Sequence, residues 1–412
     1  MKIELVTIGT ELLLGFTVDT NGAEIARALA AVGVSVVRRT SVGDEAEAIR
    51  IAVDSALERT GAVLTTGGLG PTRDDISKRV IAELYGAELE FDETVWTALV
   101  ERFARFGRVP VASNRSQAEV PRGAIVLPNR WGTAPGLWLE GPRGLTVMLP
   151  GVPGEMRMLL EHEVVPRLAA RADGRVVRSR MLRTTGIPES TLAERMGEIE
   201  REIAPLSLAY LPGLEGVDLR VSAWEFAPDE ADRRLDLALA TLRERGGEHV
   251  YGEGDEDLAA LVLDAARSNR LRIATAESCT GGLVGVRLTE IPGSSDVYVG
   301  GVVSYANDLK TGLLGVDPAL VETHGAVSEA VAMAMARGAA ERINADLVVS
   351  VTGIAGPGGG SEHKPVGTVW FGLSYRGEVS ARRSLFVGTR HDIRARAAQA
   401  ALHLMLSRLR EG

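Results

Sequence analysis

Two stretches of this chain are continuous apolar runs that stop on glycine and hand over to a helical pattern. "IELVTIG" (3–9) precedes "TNGAEIARALAAVG" (20–33), and "AVLTTGG" (62–68) leads through "LGPTRDD" toward a further helix. A strand that is apolar along its whole length needs cover on both faces, and a parallel sheet flanked by helices supplies it. Between the two runs lie "VSVVRRTSVG" and a helix at 45–59. Short strands at 124–128, 136–140 and 145–149 then lead to "LPGVPGEM" and a helix ending near Arg171. The same alternation returns near the C-terminus. It runs helix 256–268, strand 272–276, helix 282–290, strand 297–305, helices 307–314 and 328–343, strands 346–351, 366–375 and 379–387, and helix 392–409. Two α/β domains are predicted, with ligands expected beyond the carboxyl ends of their parallel strands.

The charged stretch "RADGR" (171–175) marks a first boundary. Beyond it, strand, helix (189–202), two strands (206–211 and 217–226, hinged at "LPGLEG") and helix (230–245) read as a small α+β module. "YGEGDED" (251–257) reads as a second linker. Residues 174–254 carry 11 Arg and no Lys against 15 Asp plus Glu, and no Gly-x-x-Gly loop falls between two helices. That balance, with −9 for the whole chain, argues against nucleic-acid and anionic-membrane partners, which need clustered cations. One cysteine in 412 residues forms no internal disulfide, which suits a reducing compartment. The first residues read directly as a strand, with no signal-peptide pattern, and no apolar run approaches the ~20 residues of a membrane span. A soluble cytoplasmic protein is expected.

Three loops carry candidate chemistry. In "TTGGLGPTRDD" (65–75), Gly67, Gly68 and Gly70 let the backbone approach a ligand, and Thr72 lies beside them. Asp74 and Asp75 at the following helix start suit either a divalent cation bridged to phosphate or a plain helix-dipole role. At the end of the first strand, Glu11 is a candidate ligand and Asn21 a polar contact, while Asp19 or Thr20 caps the helix. "PNRWGTAPG" (128–136) and "LPGVPGE" (149–155) carry little signal by themselves. In "ATAESCTGG", Ser278, Cys279 and Thr280 put two hydroxyls and a thiol on a strand-to-helix turn, with backbone N–H groups where an oxyanion would form. A helix cap is the plainer reading. "VVSYANDLK" (302–310) offers Lys310 as a base, and "VTGIAGPGGGSEHKPVGT" (351–368) is a glycine loop able to cradle a substrate. No histidine has metal-ligand spacing with another histidine or with the cysteine.

"GTELLLG", "DTN", "GGLGPTRDD", "PNRWGTAPG", "LPGVPGEM", "AESCTGG", "GGVVSYANDLK" and "VSVTGIAGPGGGSEHKPVGTVW" follow one another along the chain. In that order they resemble the full-length CinA family, the competence/damage-inducible protein A group, over essentially the whole length. The resemblance implies a three-layer α/β/α domain like molybdopterin-binding proteins of the MoaB/MogA type (1–171). It also implies a KH-like α+β module (172–252) and a C-terminal CinA domain (255–412). It implies hydrolysis of nicotinamide mononucleotide to nicotinate mononucleotide and ammonia in pyridine nucleotide salvage, using Ser278 and Lys310 and no cofactor. Tyr305, Asn307, Thr352, Gly353 and Gly356 match the surrounding site motifs, with Cys279, Thr280 and Gly281 contributing from the turn. Arg390 matches a ligand-side arginine, although Gly388-Thr389 precedes it where "GDR" is commoner. For the N-terminal domain the resemblance implies ADP-ribose pyrophosphatase activity with a divalent metal such as magnesium. Glu11, Asn21, Gly67, Gly68, Gly70 and Thr72 would line its pocket, and Asp74 and Asp75 would hold the metal. A homodimer is expected. The alternative is a non-catalytic pterin- or nucleotide-binding protein connected with competence or DNA damage.

Overall fold

Burial follows the apolar runs. In the computed structural model, which describes residues 1–172 and 174–411, strands β1 (Lys2–Ile8) and β3 (Ala62–Thr66) are almost wholly buried. Asp173, inside the expected first boundary, and Gly412 lie outside the described residues. Alternate side chains of β1 enter two different cores. Ile3 and Leu5 pack with Ile25 and Leu29, while Val6 and Ile8 pack with Ile49 and Val53. Both faces of the sheet are therefore covered, as period-two alternation between two helical layers requires. The helix Thr20–Ala31 is started by Asp19, whose carboxylate accepts the Gly22 amide at 2.7 Å.

β2 (Ser35–Val42) is the half-exposed edge of this sheet. A separate ribbon pairs β4 (Leu89–Phe91) with β5 (Glu119–Pro121) around an unexpected helix, Glu93–Arg105. With β6 (Ile125–Leu127), β7 (Gly136–Gly141) and β8 (Gly144–Leu149), the six-stranded order is β2-β1-β3-β8-β7-β6. β2, β1, β3 and β8 are parallel, but β7 pairs antiparallel with both β8 and β6. The expectation of a parallel sheet fails there for a local reason. β7 and β8 are joined by a tight turn at 141–144, and only antiparallel neighbours can be linked so briefly.

The middle sheet has the order β10-β11-β9-β12, from β9 (Val176–Thr184), β10 (Ser207–Pro212), β11 (Val217–Phe226) and β12 (Val250–Glu253). The helix expected at 189–202 is two, Glu189–Met196 and Ile199–Glu202, because Gly197 turns to φ +57°. β12 occupies residues assigned to a linker. Its glycines hid a strand whose Tyr251 is 2% exposed and which pairs with β9. The one Gly-x-x-Gly, Gly213–Gly216, closes the β10–β11 hairpin.

The last sheet has the order β14-β13-β15-β16-β17, from β13 (Ile273–Glu277), β14 (Tyr298–Val303), β15 (Leu347–Gly353), β16 (Thr368–Tyr375) and β17 (Glu378–Leu385). The first three are parallel; β16 runs antiparallel to β15 after the long loop 354–367, and β17 runs antiparallel to β16 through a short hairpin. Helices Asn307–Leu314, Glu329–Ile343 and Arg390–Glu411 match the expected positions, and Pro318–His324 is an extra one. The described chain divides into two compact units, Met1–Arg178 with Ala223–Arg234, and Ser179–Ser222 with the chain from Leu235 on. Among the described residues no helix is long and apolar enough to cross a membrane.

Gly67 shows how closely β3 and β1 end together. It has φ +110°, and a Cβ there would stand 2.1 Å from the carbonyl oxygen of Ile8. Gly67→Ala is expected to destabilise the N-terminal domain by roughly 1–3 kcal/mol from conformation alone, with the clash added. A urea series with limited proteolysis would show it as earlier cleavage within residues 4–170.

Candidate active site

Ser278 directly follows β13 and is tied to the neighbouring parallel strand by its amide, which donates to Val351 O at 2.8 Å. Lys310 lies in the helix Asn307–Leu314, which begins four residues after β14. Its Nζ is 3.0 Å from Ser278 Oγ, 2.8 Å from Ser304 O and 3.2 Å from Tyr305 O. Lys310 is 1% exposed, and burial pushes its amine below the ordinary lysine value. Three acceptors surround a nitrogen that has only two N–H bonds when neutral. If the two carbonyls take those bonds, the lone pair faces Ser278, whose hydroxyl can then donate to it. This is the arrangement of a nucleophile and its base.

The turn after Ser278 is held by Glu277. Its carboxylate, 1% exposed, accepts the amides of Gly282 (3.0 Å), Val284 (3.1 Å) and Gly285 (2.9 Å) and so caps the helix Leu283–Thr289. The Gly281 amide donates to Ser278 O at 3.0 Å. The expected oxyanion contribution of the whole 279–282 turn is therefore corrected. Gly281 and Gly282 spend their N–H groups inside the turn, and only the Cys279 and Thr280 amides donate to no oxygen among the described residues.

Cys279 is 6% exposed, and burial raises its thiol to about 12. Gly353 makes room for it. A Cβ at Gly353 would lie 3.1 Å from Cys279 Sγ and 2.8 Å from a Val369 methyl. Thr352 is buried and donates to Ala326 O at 2.8 Å, which leaves its hydroxyl a scaffolding contact. Arg390 gathers two other expected residues at the rim. It donates to Gly356 O at 2.7 Å and to the Tyr305 hydroxyl at 2.6 Å. Tyr305 is exposed, as is Asn307 at the start of the next helix. Two side chains escaped sequence reasoning. Arg394 donates to Thr280 O at 2.7 Å, and Glu277 caps the turn; an acid just before a Ser-Cys-Thr-Gly-Gly turn was the available signal for the latter. The Thr280 and Ser304 hydroxyls are buried with no hydrogen-bond partner among the described residues.

In the N-terminal domain, Gly67 and Gly68 close β3, and a Cβ on Gly68 would lie 1.9 Å from Ser77 Oγ. Asp75 is turned inward, where it accepts the Thr72 amide at 2.8 Å and the Thr72 hydroxyl at 2.5 Å, and it leaves no room for a Cβ on Gly70. Asp74 is exposed. Among the described residues no three His, Cys, Asp or Glu side chains gather as a metal cage. The loop thus offers Asp74 alone as an open carboxylate, which suits an ion completed by phosphate and water rather than by protein. Asn21 is 9% exposed and donates to Thr66 Oγ1 (3.2 Å) and Gly151 O (2.8 Å), fastening the helix start to the 149–155 loop. Glu11 is exposed and folds back over Gly9. The two loops with little sequence signal meet through Asn129, which donates to Glu155 at 2.6 Å. Lys78 was also missed; burial lowers its amine to about 8.

Comparison with known proteins places these loops in a family. Residues 255–409 match the CinA C-terminal domain, residues 4–170 a probable molybdopterin binding domain, and residues 179–252 the damage-inducible protein CinA KH domain. A CinA-like protein of Gemmatimonas aurantiaca is 53% identical over 406 residues, covering 98% of this chain and 95% of that one. A putative competence-damage inducible protein of Moorella thermoacetica is 40% identical, covering 100% and 99%. The solved competence/damage inducible protein CihA of Agrobacterium tumefaciens is 44% identical, covering 37% of this chain and 93% of its own at a TM-score of 0.36.

A buried thiol held protonated is a poor nucleophile. Cys279 is expected to resist an aromatic disulfide reagent at pH 8 in the native protein and to react fully after denaturation. Rapid labelling of the folded chain would contradict the placement described above.

Proposed function

The chain belongs to the CinA family, and we propose that it hydrolyses nicotinamide mononucleotide to nicotinate mononucleotide and ammonia, with Ser278 as nucleophile and Lys310 as base. The observation that carries this reading is the buried Lys310 amine, 3.0 Å from Ser278 Oγ and backed by two carbonyls. Neutral Lys310 takes the hydroxyl proton as Oγ bonds to the carboxamide carbon. The resulting oxyanion turns toward the Cys279 and Thr280 amides. Lys310 returns the proton to the departing nitrogen, the C–N bond breaks, and ammonia leaves an acyl ester on Ser278. Water, deprotonated by the same amine, then cleaves the ester and frees the acid. Arg390 and Tyr305 at the rim provide a guanidinium for the phosphate and an aromatic face for the cationic pyridinium ring.

For the N-terminal domain we assign hydrolysis of ADP-ribose at the Gly67–Asp75 loop. The loop's glycines admit phosphates, and Asp74 would hold a divalent ion whose role is to neutralise phosphate charge. Asp75 keeps the loop in shape through Thr72. Loss of ADP-ribose turnover in chelator and in Asp74→Asn, with deamidation untouched, is the expected outcome. Full turnover without metal would remove Asp74 from this role.

Ser278→Ala and Lys310→Ala should each lower kcat by several orders of magnitude, and the double variant should lose little more, since the two act as one unit. Cys279→Ala should keep most activity. An ammonia-release assay separates these outcomes, and a dead Cys279→Ala beside an active Ser278→Ala would reverse the assignment.

The pH dependence follows from the depressed Lys310 value. The unfolded chain binds this proton more tightly than the folded one, so the stability from this group holds above the unfolded value and is lost as pH falls through the folded one, while activity holds above the folded value and is lost below it. The profile of kcat/KM should therefore show an acid limb belonging to Lys310. A flat profile across the range where a lysine can be shifted would contradict a lysine base.

A further inference from the structure

A cavity of about 630 Å³ opens within the second unit, between the loops 185–189 and 212–217 on one side and β17 with the helix Arg390–Glu411 on the other. Neither Ser278 nor Lys310 lines it. Its volume lies in the range of small-molecule sites, roughly 300–1,000 Å³. Much of the wall is apolar, from Ile187, Leu214, Leu385, Val387 and Leu404. Leu385 and Val387 are 57% and 75% exposed, an unusual state for two large aliphatic side chains so close in sequence.

Two cations face this apolar surround. Arg396 is oriented by donating to Val387 O at 2.7 Å, which leaves the rest of its guanidinium available. The acid one turn before it, Asp392, accepts the Thr389 amide and hydroxyl on Oδ2, is not within ion-pair distance of Arg396 among the described residues, and lends it only a nearby charge. Arg382 is exposed and has no carboxylate within ion-pair distance among the described residues. Of the two acids in the lining, Glu215 is already met by Arg183 at 3.1 Å and Arg287 at 3.2 Å, which leaves only Glu189 to offset the two arginines.

A further donor is left over. Gln399 lines the cavity, is 1% exposed, and has its amide orientation set by Arg287, which donates to Oε1 at 3.2 Å. Its Nε2 is buried without a hydrogen-bond partner among the described residues. Buried amide donors nearly always find an acceptor, and an orphan in the wall of a cavity points to one supplied from outside the chain. An anion, an acceptor atom and a flat apolar body are thus all asked for within one volume.

We propose that this cavity binds a phosphate monoester carrying an aromatic ring system, a nucleoside monophosphate in size. Arg382 and Arg396 take the phosphate, Gln399 Nε2 donates to an acceptor on the ligand, and the aliphatic wall covers the base. Paired guanidinium forks suit phosphate oxygens in a way that a single lysine does not. The site stands apart from the deamidase reading and does not rest on it.

Calorimetric titration of the full chain with adenosine 5′-monophosphate tests it, with adenosine and orthophosphate as the two partial ligands. Saturable binding of the monophosphate is expected, at least tenfold tighter than either partial ligand. Arg382→Glu, an exposed change that circular dichroism should show to be folded, should weaken one such site at least tenfold, while Ser278→Ala leaves it intact. Arg382→Ala should move the affinity in the same direction by less. Undiminished binding in Arg382→Glu would overturn the site, as would no binding to the wild-type chain at millimolar ligand. Orthophosphate binding as tightly as the monophosphate would overturn the assigned ligand class.

Discussion

An ammonium group removed from water without a counter-charge is among the most costly things a protein can bury, and Lys310 is buried to 1% exposure with only a hydroxyl and two carbonyls around its nitrogen. The low-cost way to keep it there is to keep it neutral, and much of the surrounding structure serves that end. β14 must stop at Val303 so that the Ser304 and Tyr305 carbonyls turn inward. The helix beginning at Asn307 must start at once, so that its fourth residue returns to the same place. β13 must end beside β15, because the Ser278 amide needs Val351 O. None of these demands involves a charged partner. Such surroundings suit a neutral lysine rather than half of an ion pair, as the proposed base role requires.

Much of this was legible in the residues. The apolar runs of β1 and β3 announced a sheet covered on both faces, and the helices around Lys310 and at the C-terminus fell where their periodicity put them. What escaped had physical reasons. β7 reverses against β8 and β17 against β16 because of hairpins a few residues long, whereas β16 reverses against β15 across the long glycine loop 354–367, and connections rather than strand composition decide direction. β12 was hidden by glycine and acids, since its burial comes from pairing with β9 rather than from its own hydropathy. Within the site, Ser278, Lys310, Tyr305, Gly356 and Arg390 come together, whereas Glu277 was passed over. A buried acid at a strand end looks in sequence like any other acid. Only the three amides it accepts reveal its work.

The two α/β domains solve the problem of the strand-end loop in different ways. In the N-terminal domain, glycines admit close backbone approach, and Asn21, Asp75 and Asn129 fasten neighbouring loops with side-chain hydrogen bonds. Most of its expected polar residues prove to be fasteners, which leaves Asp74 and Glu11 facing solvent. In the C-terminal domain a single carboxylate organises the turn, and the thiol beside Ser278 is packed away under Gly353. An adjacent cysteine would otherwise be the more reactive nucleophile of the pair, and burial silences it.

Glu277 and Ser278 are consecutive, and in an extended chain consecutive side chains leave the backbone in opposite directions. One serves the helix cap and the other meets the amine. A slip of β13 by one residue against β14 and β15 would exchange them, bringing a carboxylate to Lys310. The amine would then stay protonated, the base would be lost, and the capped turn would lose its anchor with every residue type unchanged. The parity of a five-residue strand is therefore as much a determinant of this chemistry as the residues that perform it. Insertions or deletions in that strand should be tolerated far less than substitutions along its apolar face.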